Sequence, residues 1–246
     1  MSEFNDVFGE EGVKEVKKPR PVTYVGFVWD HSGSMLGSTE LARTNFNEQL
    51  VTLKKDADKI DYKIDYLVTI IEFDDVVDIE ISNQPINEVQ ELKDYWTGGM
   101  TALYDAVGIC INKIHFDMEK DKREDKAALI VVMTDGQNNS SKEYNNETIR
   151  ALVKKMDERN DWTFVFMGAG IDEQQAMDMG FGAQNTMCFN KSDAGFASSS
   201  ISQSSSLSSY STMRGMGMKK AQAFYSDDKP DSVYDKNSTV DEDKEV

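Results

Sequence analysis

The chain is poor in cysteine and histidine, with two of each among 246 residues. Cys110 and Cys188 are too few for a disulfide framework, and each stands among apolar neighbours, where a buried reduced thiol is expected. His31 and His115 form no cysteine–histidine pair at zinc spacing, which argues against structural zinc. Long apolar runs are also missing. The longest, residues 127–133, falls far short of the roughly 18 to 20 residues of a membrane span. The first twenty residues contain no apolar segment of the kind a secretory signal carries, so the expectation is a soluble, cytoplasmic protein. Positive charge is scarce too. A net charge of −17 opposes general nucleic-acid binding and attraction to anionic membranes. Residues 227–246 hold eight acidic groups against three lysines, and the rest of the chain is acidic as well. Such a surface favours solubility and, more weakly, a basic partner. No Gly-x-x-x-x-Gly-Lys-Ser/Thr loop occurs, so nucleotide hydrolysis has no support.

What the chain does have is residues 22–35, VTYVGFVWDHSGSM. An apolar run the length of one buried strand turns abruptly into Asp30, His31, Ser32, Gly33 and Ser34. The carboxyl end of a strand is where open α/β sheets bind ligands. Asp-x-Ser-x-Ser offers only hard oxygens, which suit Mg²⁺ or Mn²⁺ over softer metals.

Two later segments repeat the theme. In 96–106, WTGGMTALYDA, two glycines allow a sharp path close to a ligand, and Thr101 opens a helix with Leu103, Val107, Cys110, Ile111 and Ile114 as its buried face. Residues 128–133, ALIVVM, read as a fully buried strand that ends in Thr134-Asp135-Gly136. Three segments in this order resemble the von Willebrand factor type A family, whose metal-ion-dependent adhesion site is built from Asp-x-Ser-x-Ser, a threonine and an aspartate. The resemblance covers about residues 22–190 and resembles most the stand-alone intracellular versions of bacteria and their phages.

The resemblance implies an α/β, Rossmann-like fold: a central, mostly parallel sheet with one antiparallel edge strand and helices on both faces. It also implies a metal site of Asp30, Ser32, Ser34, Thr101 and Asp135, holding Mg²⁺ or Mn²⁺. Ser32 and Ser34 ligate directly, and Thr101 and one or both aspartates join directly or through water. A protein partner presenting an Asp or Glu completes the metal's shell, with no role for nucleic acid or membrane. The implied function is a metal-dependent adaptor and not an enzyme, since no histidine serves as a base and no second carboxylate cluster is spaced for another ion. Alternatives are a scaffold or oligomer-forming protein with a purely structural metal site, and a metal-dependent hydrolase. Any single Asp or Ser here could instead be only a helix cap.

Periodicity predicts the remaining elements: helices over 39–58, 147–159 and 172–179, and strands over 65–73, 76–81, 163–167 and 185–189. Ten serines in 198–211 precede a break near Gly215 and Gly217. Residues 192–213 are read as a last helix with Ala194, Ala197 and Ile201 inward and serines outward. The domain is placed at 21–213, between a flexible arm (1–20) and a flexible acidic tail (214–246). His31 is expected to face solvent, Asp105 to make local hydrogen bonds, and Trp96 and Met100 to flank the metal face, where they either contact a partner or pack into the core.

Overall fold

A computed structural model describes residues 20–59, 63–94 and 96–225. Strand β1 (Val22–Asp30) is buried at all nine positions, because it has a parallel neighbour on each side. These are β2 (Asp65–Phe73) and β4 (Lys126–Thr134). The edge beyond β2 is β3 (Val77–Pro85), paired antiparallel through a three-residue turn, Asp74 to Val76, one residue longer than the expected strands 65–73 and 76–81 leave between them. On the other side β5 (Trp162–Ala169) pairs with β4, and β6 (Thr186–Phe189) pairs with β5, both parallel. The strand order β3-β2-β1-β4-β5-β6 therefore reverses direction between β1 and β4. That reversal is a topological switch point, where loops leave the strand ends in opposite directions and open a crevice.

Helices α1 (Thr39–Ala57), α2 (Leu103–Lys120), α3 (Asn146–Asp157), α4 (Gln174–Asp178) and α5 (Asp193–Gly215) surround the sheet. Alternation along β1 assigns its side chains to two cores. Val25, Phe27 and Trp29 face Phe46 and Leu50 of α1, with the Trp29 and Phe46 rings edge-on at 4.8 Å. Tyr24 and Val28 join Val107, Cys110 and Ile114 of α2 together with Ile149 and Val153 of α3. Gly26 faces α2, and a side chain there would collide with Cys110 and Ile114. Cys110 and Cys188 form no disulfide, and Cys110 is fully buried whereas Cys188 is partly so.

The last helix differs from its expected orientation. It is helical over Asp193–Gly215, but Ile201 is 72% exposed and the inward residues are Phe196, Ser199, Gln203, Leu207, Tyr210 and Arg214. Phe196, Leu207 and Tyr210 carry far more apolar surface than Ala194, Ala197 and Ile201, so burying them wins. The serines are consequently on both faces, with Ser199, Ser200, Ser206 and Ser211 inside. The packed unit also runs past 213. Ala221, Phe224 and Tyr225 are buried, and backbone bonds from Phe224 to Asn185 Oδ1 (2.7 Å) and from Tyr225 to the Gln184 carbonyl (3.1 Å) hold the segment against the turn that precedes β6. Of the expected arm (1–20) and acidic tail (214–246), residues 1–19 and 226–246 lie outside the described residues. No helix among the described residues is long and apolar enough to cross a membrane.

Candidate metal centre

The five predicted site residues come from three loops, and the switch point brings the loops together. Asp30 ends β1, Asp135 follows the last residue of β4, and Thr101 precedes α2. Asp30 is almost wholly buried, and both of its oxygens are used. Oδ1 accepts from the Ser32 backbone N–H at 2.7 Å, and Oδ2 accepts from the Thr134 hydroxyl. The first bond turns the chain so that Ser32 and Ser34 present their hydroxyls side by side, with the two Oγ atoms 3.0 Å apart. Ser34 donates to Asp135 Oδ1 at 2.5 Å, which joins the first loop to the third.

The middle loop is fastened on both sides. Gly98 N–H donates to the His31 carbonyl at 2.9 Å, and Gly33 N–H donates to the Gly99 carbonyl at 3.2 Å. Gly99 has φ +67°, a conformation that costs a residue with a side chain free energy, and a Cβ there would also strike Asp75 and Asp74. Thr101 N–H donates to Asn139 Oδ1 (2.7 Å), and its carbonyl accepts from Asn139 and Ser140. Gly136 closes the ring: a Cβ there would lie 3.1 Å from Thr101 Oγ1 and 3.3 Å from Ser34 Oγ. The hydroxyls of Ser34 and Thr101 thus converge beside the Asp135 loop. Local hydrogen bonds are expected of Asp105, but its carboxylate bonds instead to a distant segment. It accepts from the backbone N–H groups of Lys142, Glu143 and Tyr144 at 2.7 to 3.0 Å and so holds the 138–145 loop against α2.

The donor set fits a hard divalent cation. Oxygen ligands about 2.1 Å from an octahedral ion stand about 3.0 Å apart along each edge, the spacing that Ser32 and Ser34 already show. Burial pushes the Asp30 carboxyl up to about 6, against the hydrogen bonds from Ser32 and Thr134, and the nearby Asp135 charge adds to the rise. A desolvated carboxylate beside a second one is a site that a cation relieves. Among the described residues no group of three or more His, Cys, Asp or Glu could hold a metal, so hydroxyls must supply part of any shell.

A sequence model of the von Willebrand factor type A domain matches residues 25–204. The chain belongs to the von Willebrand factor type A domain family. No curated protein matches it significantly in sequence. Among solved structures, the fold is similar to the pilus adhesin SpaC of Lactobacillus rhamnosus GG in its open conformation (TM-score 0.59, 10% identity, 79% of this chain and 31% of that one). It is similar to proximal thread matrix protein 1 of the mussel byssus, solved with a zinc-occupied MIDAS motif (0.51, 15%, 78% and 46%). It is also similar to the VWA domain of SpRpn10 (0.50, 11%, 75% and 95%). The chain spans less than half the length of the mussel protein and of the adhesin.

Around this type A site stand further groups, some of them without a local sequence signal. His31 is half-buried, not solvent-facing as expected; burial lowers its imidazole to about 4, against the pull of Asp74. It lines a cleft of about 330 Å³ with Glu72, Asp74, Asp78, Asp94 and Trp96. Burial first, then Glu80 and Asp78, pushes the Glu72 carboxyl up to about 7. Trp96 and Met100 are both exposed on this face, 70% and 54%. Thr134 and Gln175 were not singled out by sequence, yet Thr134 holds Asp30 and Gln175 donates to the Gly136 carbonyl at 2.7 Å. Lys191 was missed too. Its ammonium lies 2.5 Å from Asp135 Oδ2 and donates to the Ser34 carbonyl at 2.5 Å.

Proposed function

We propose that this chain is a divalent-metal-dependent protein-binding module, an adaptor that takes up an Asp or Glu of a partner protein. The observation that carries the reading is the convergence of Ser32, Ser34, Thr101, Asp30 and Asp135 at one switch point, with Ser34 on the exposed rim. Ser32, Ser34 and Thr101 supply neutral hydroxyls, and Asp30 is held back by Thr134 and the Ser32 backbone. Neutral donors quench little of an ion's charge, so a divalent ion bound here offers an electrophilic open position to an outside carboxylate. Mg²⁺ or Mn²⁺ is the proposed ion. The proposed setting is the cytoplasm of a bacterium or of a phage-infected cell. The reading takes the chain as a binder without catalytic function. His31 lines the neighbouring cleft with Glu72 and Asp74.

The test is titration calorimetry of the wild type and of the Ser32→Ala/Ser34→Ala double variant with Mg²⁺, then Mn²⁺, with Zn²⁺ as a third arm because the mussel protein holds it. The expected result is binding by wild type and none by the double variant, with unchanged far-UV circular dichroism. Full metal affinity in the double variant would remove the site assignment. Capture of a partner in Mg²⁺ but not in EDTA, and not by the double variant, supports adaptor function. Equal capture in all arms would leave a metal that only stabilises the fold.

A further inference from the structure

Asp135 carries a buried side chain, and its Oδ2 has no aligned hydrogen bond. The group placed on that oxygen is the ammonium of Lys191, in ionic contact at 2.5 Å. Lys191 stands between β6 and the Ser192 cap of α5, and its side chain passes over Gly170, where a Cβ would meet it at 3.5 to 3.8 Å. From there it reaches 157 residues back along the chain to the Ser34 carbonyl. The lysine thus covers the third element of the metal site and touches the first, while a third of its own side chain stays in solvent.

We infer that Lys191 is a tethered counter-cation that neutralises Asp135 in the metal-free protein and competes with the divalent ion for it, so that this lysine sets the metal affinity. The inference rests on the metal-binding reading above. Its physical basis is that two cations cannot share one carboxylate without strong mutual repulsion at a separation of a few ångströms. An ion bound through Ser34 and Asp135 drives the ammonium off, and a lysine is suited to leave: its stem is flexible and its charge is well solvated once it swings outward. A lysine that merely braced the fold would favour the loaded and the metal-free states alike. A competing lysine favours only the metal-free one.

The two roles predict opposite signs, and Lys191→Met separates them. Competition predicts that the variant binds Mg²⁺ about tenfold more tightly by calorimetry, because the repelling charge is gone. It also predicts a metal-free thermal midpoint lower by about 5 °C, because the buried Asp135 carboxylate loses its counter-charge. Saturating Mg²⁺ should then raise the variant's midpoint by more than it raises the wild type's. Lys191→Arg keeps the charge and should keep affinity near that of wild type. Equal or weaker Mg²⁺ affinity in Lys191→Met, with wild type binding normally, overturns the competition and leaves the metal site standing. Binding by the variant alone would show that the lysine excludes the ion in wild type, which supports the inference. Binding by neither protein overturns the lysine's role and the metal-site reading together.

Discussion

The two faces of the sheet are packed by different means. The α2/α3 face is dry: Val107, Cys110, Ile111, Ile114, Ile149 and Val153 meet Ile130, Val132, Phe164 and Phe166. The α1/α5 face has an apolar core as well, but a polar seam runs through it. Gln49 donates to Asn45 (2.9 Å), Asn45 to Ser199 (3.2 Å), Gln203 to Gln49 (3.2 Å) and Tyr225 to Gln203 (2.6 Å). Below it Tyr66 donates to Ser211 at 2.7 Å. At the end of the helix the fully buried Arg214 reaches Thr23 Oγ1 (2.9 Å), the Val22 carbonyl (3.1 Å), Asp125 (2.9 Å) and the Met218 carbonyl (3.0 Å). A dry face tolerates any apolar set of the right volume. A hydrogen-bonded seam accepts one helix register only, because slipping it strands several buried polar groups at once.

Arg214 should show the largest effect. Arg214→Met removes a buried donor to the Val22 carbonyl, Thr23 and Asp125 and is expected to cost about 3 kcal/mol in urea unfolding, close to the cost of Ile114→Ala on the dry face. Equal costs would arise from unlike causes, a lost network against a cavity. The next experiment exposes that difference. Gln203→Leu should cost about 2 kcal/mol by orphaning Tyr225 OH and Gln49 Oε1, and adding Tyr225→Phe should return about 1 kcal/mol by removing one orphan. Simple additivity of the two changes would show that the seam contributes packing and not a network.

The smallest effect is a pH dependence at the metal face, measured in EDTA. The His31 imidazole sits at about 4, below its ordinary 6.5, so the unfolded chain takes up the proton first and stability falls as pH drops from 6.5 to 4. Glu72 sits at about 7, above its ordinary 4.5, so the folded chain keeps the proton and stability falls as pH rises from 4.5 to 7. The two slopes oppose each other between pH 4.5 and 6.5. Relative to wild type, Glu72→Gln should therefore gain stability with rising pH across that window, and His31→Asn should lose it. The rise at Asp30 is common to all three proteins and drops out of the comparison. Parallel profiles for the three would show that neither group is perturbed by its burial.

Much of this could be read from the chain because the relevant signals are local. The apolar runs of β1, β2 and β4 and the spacing on α2 gave strands and a helix at nearly the observed bounds. The dry face was legible for the same reason: Leu103, Val107, Cys110, Ile111 and Ile114 repeat at helical spacing and are all buried. The seam was not legible. In α5 serine is nearly everywhere, so no period marks the buried face, and Ala194, Ala197 and Ile201 gave a false one. The site followed the same division, since Asp30, Ser32, Ser34, Thr101 and Asp135 stood out as strand-end and glycine-flanked motifs, whereas Thr134, Gln175 and Lys191 did not.

The sequence by itself determined which segments become strands and helices, that three of them end in hard oxygen donors, and in what order those ends follow. Periodicity and short-range backbone chemistry carry that information, because each signal is complete within a few residues. Only the tertiary structure decided which face of α5 turns inward, how Arg214 is buried, and that the ammonium of Lys191 rests on Asp135. Those outcomes depend on side chains that are remote in sequence, 154 residues apart for Asn45 and Ser199 and 157 for Ser34 and Lys191. A polar group's free energy inside a protein is set by the partner it meets there, and the partner is known only when the chain has closed.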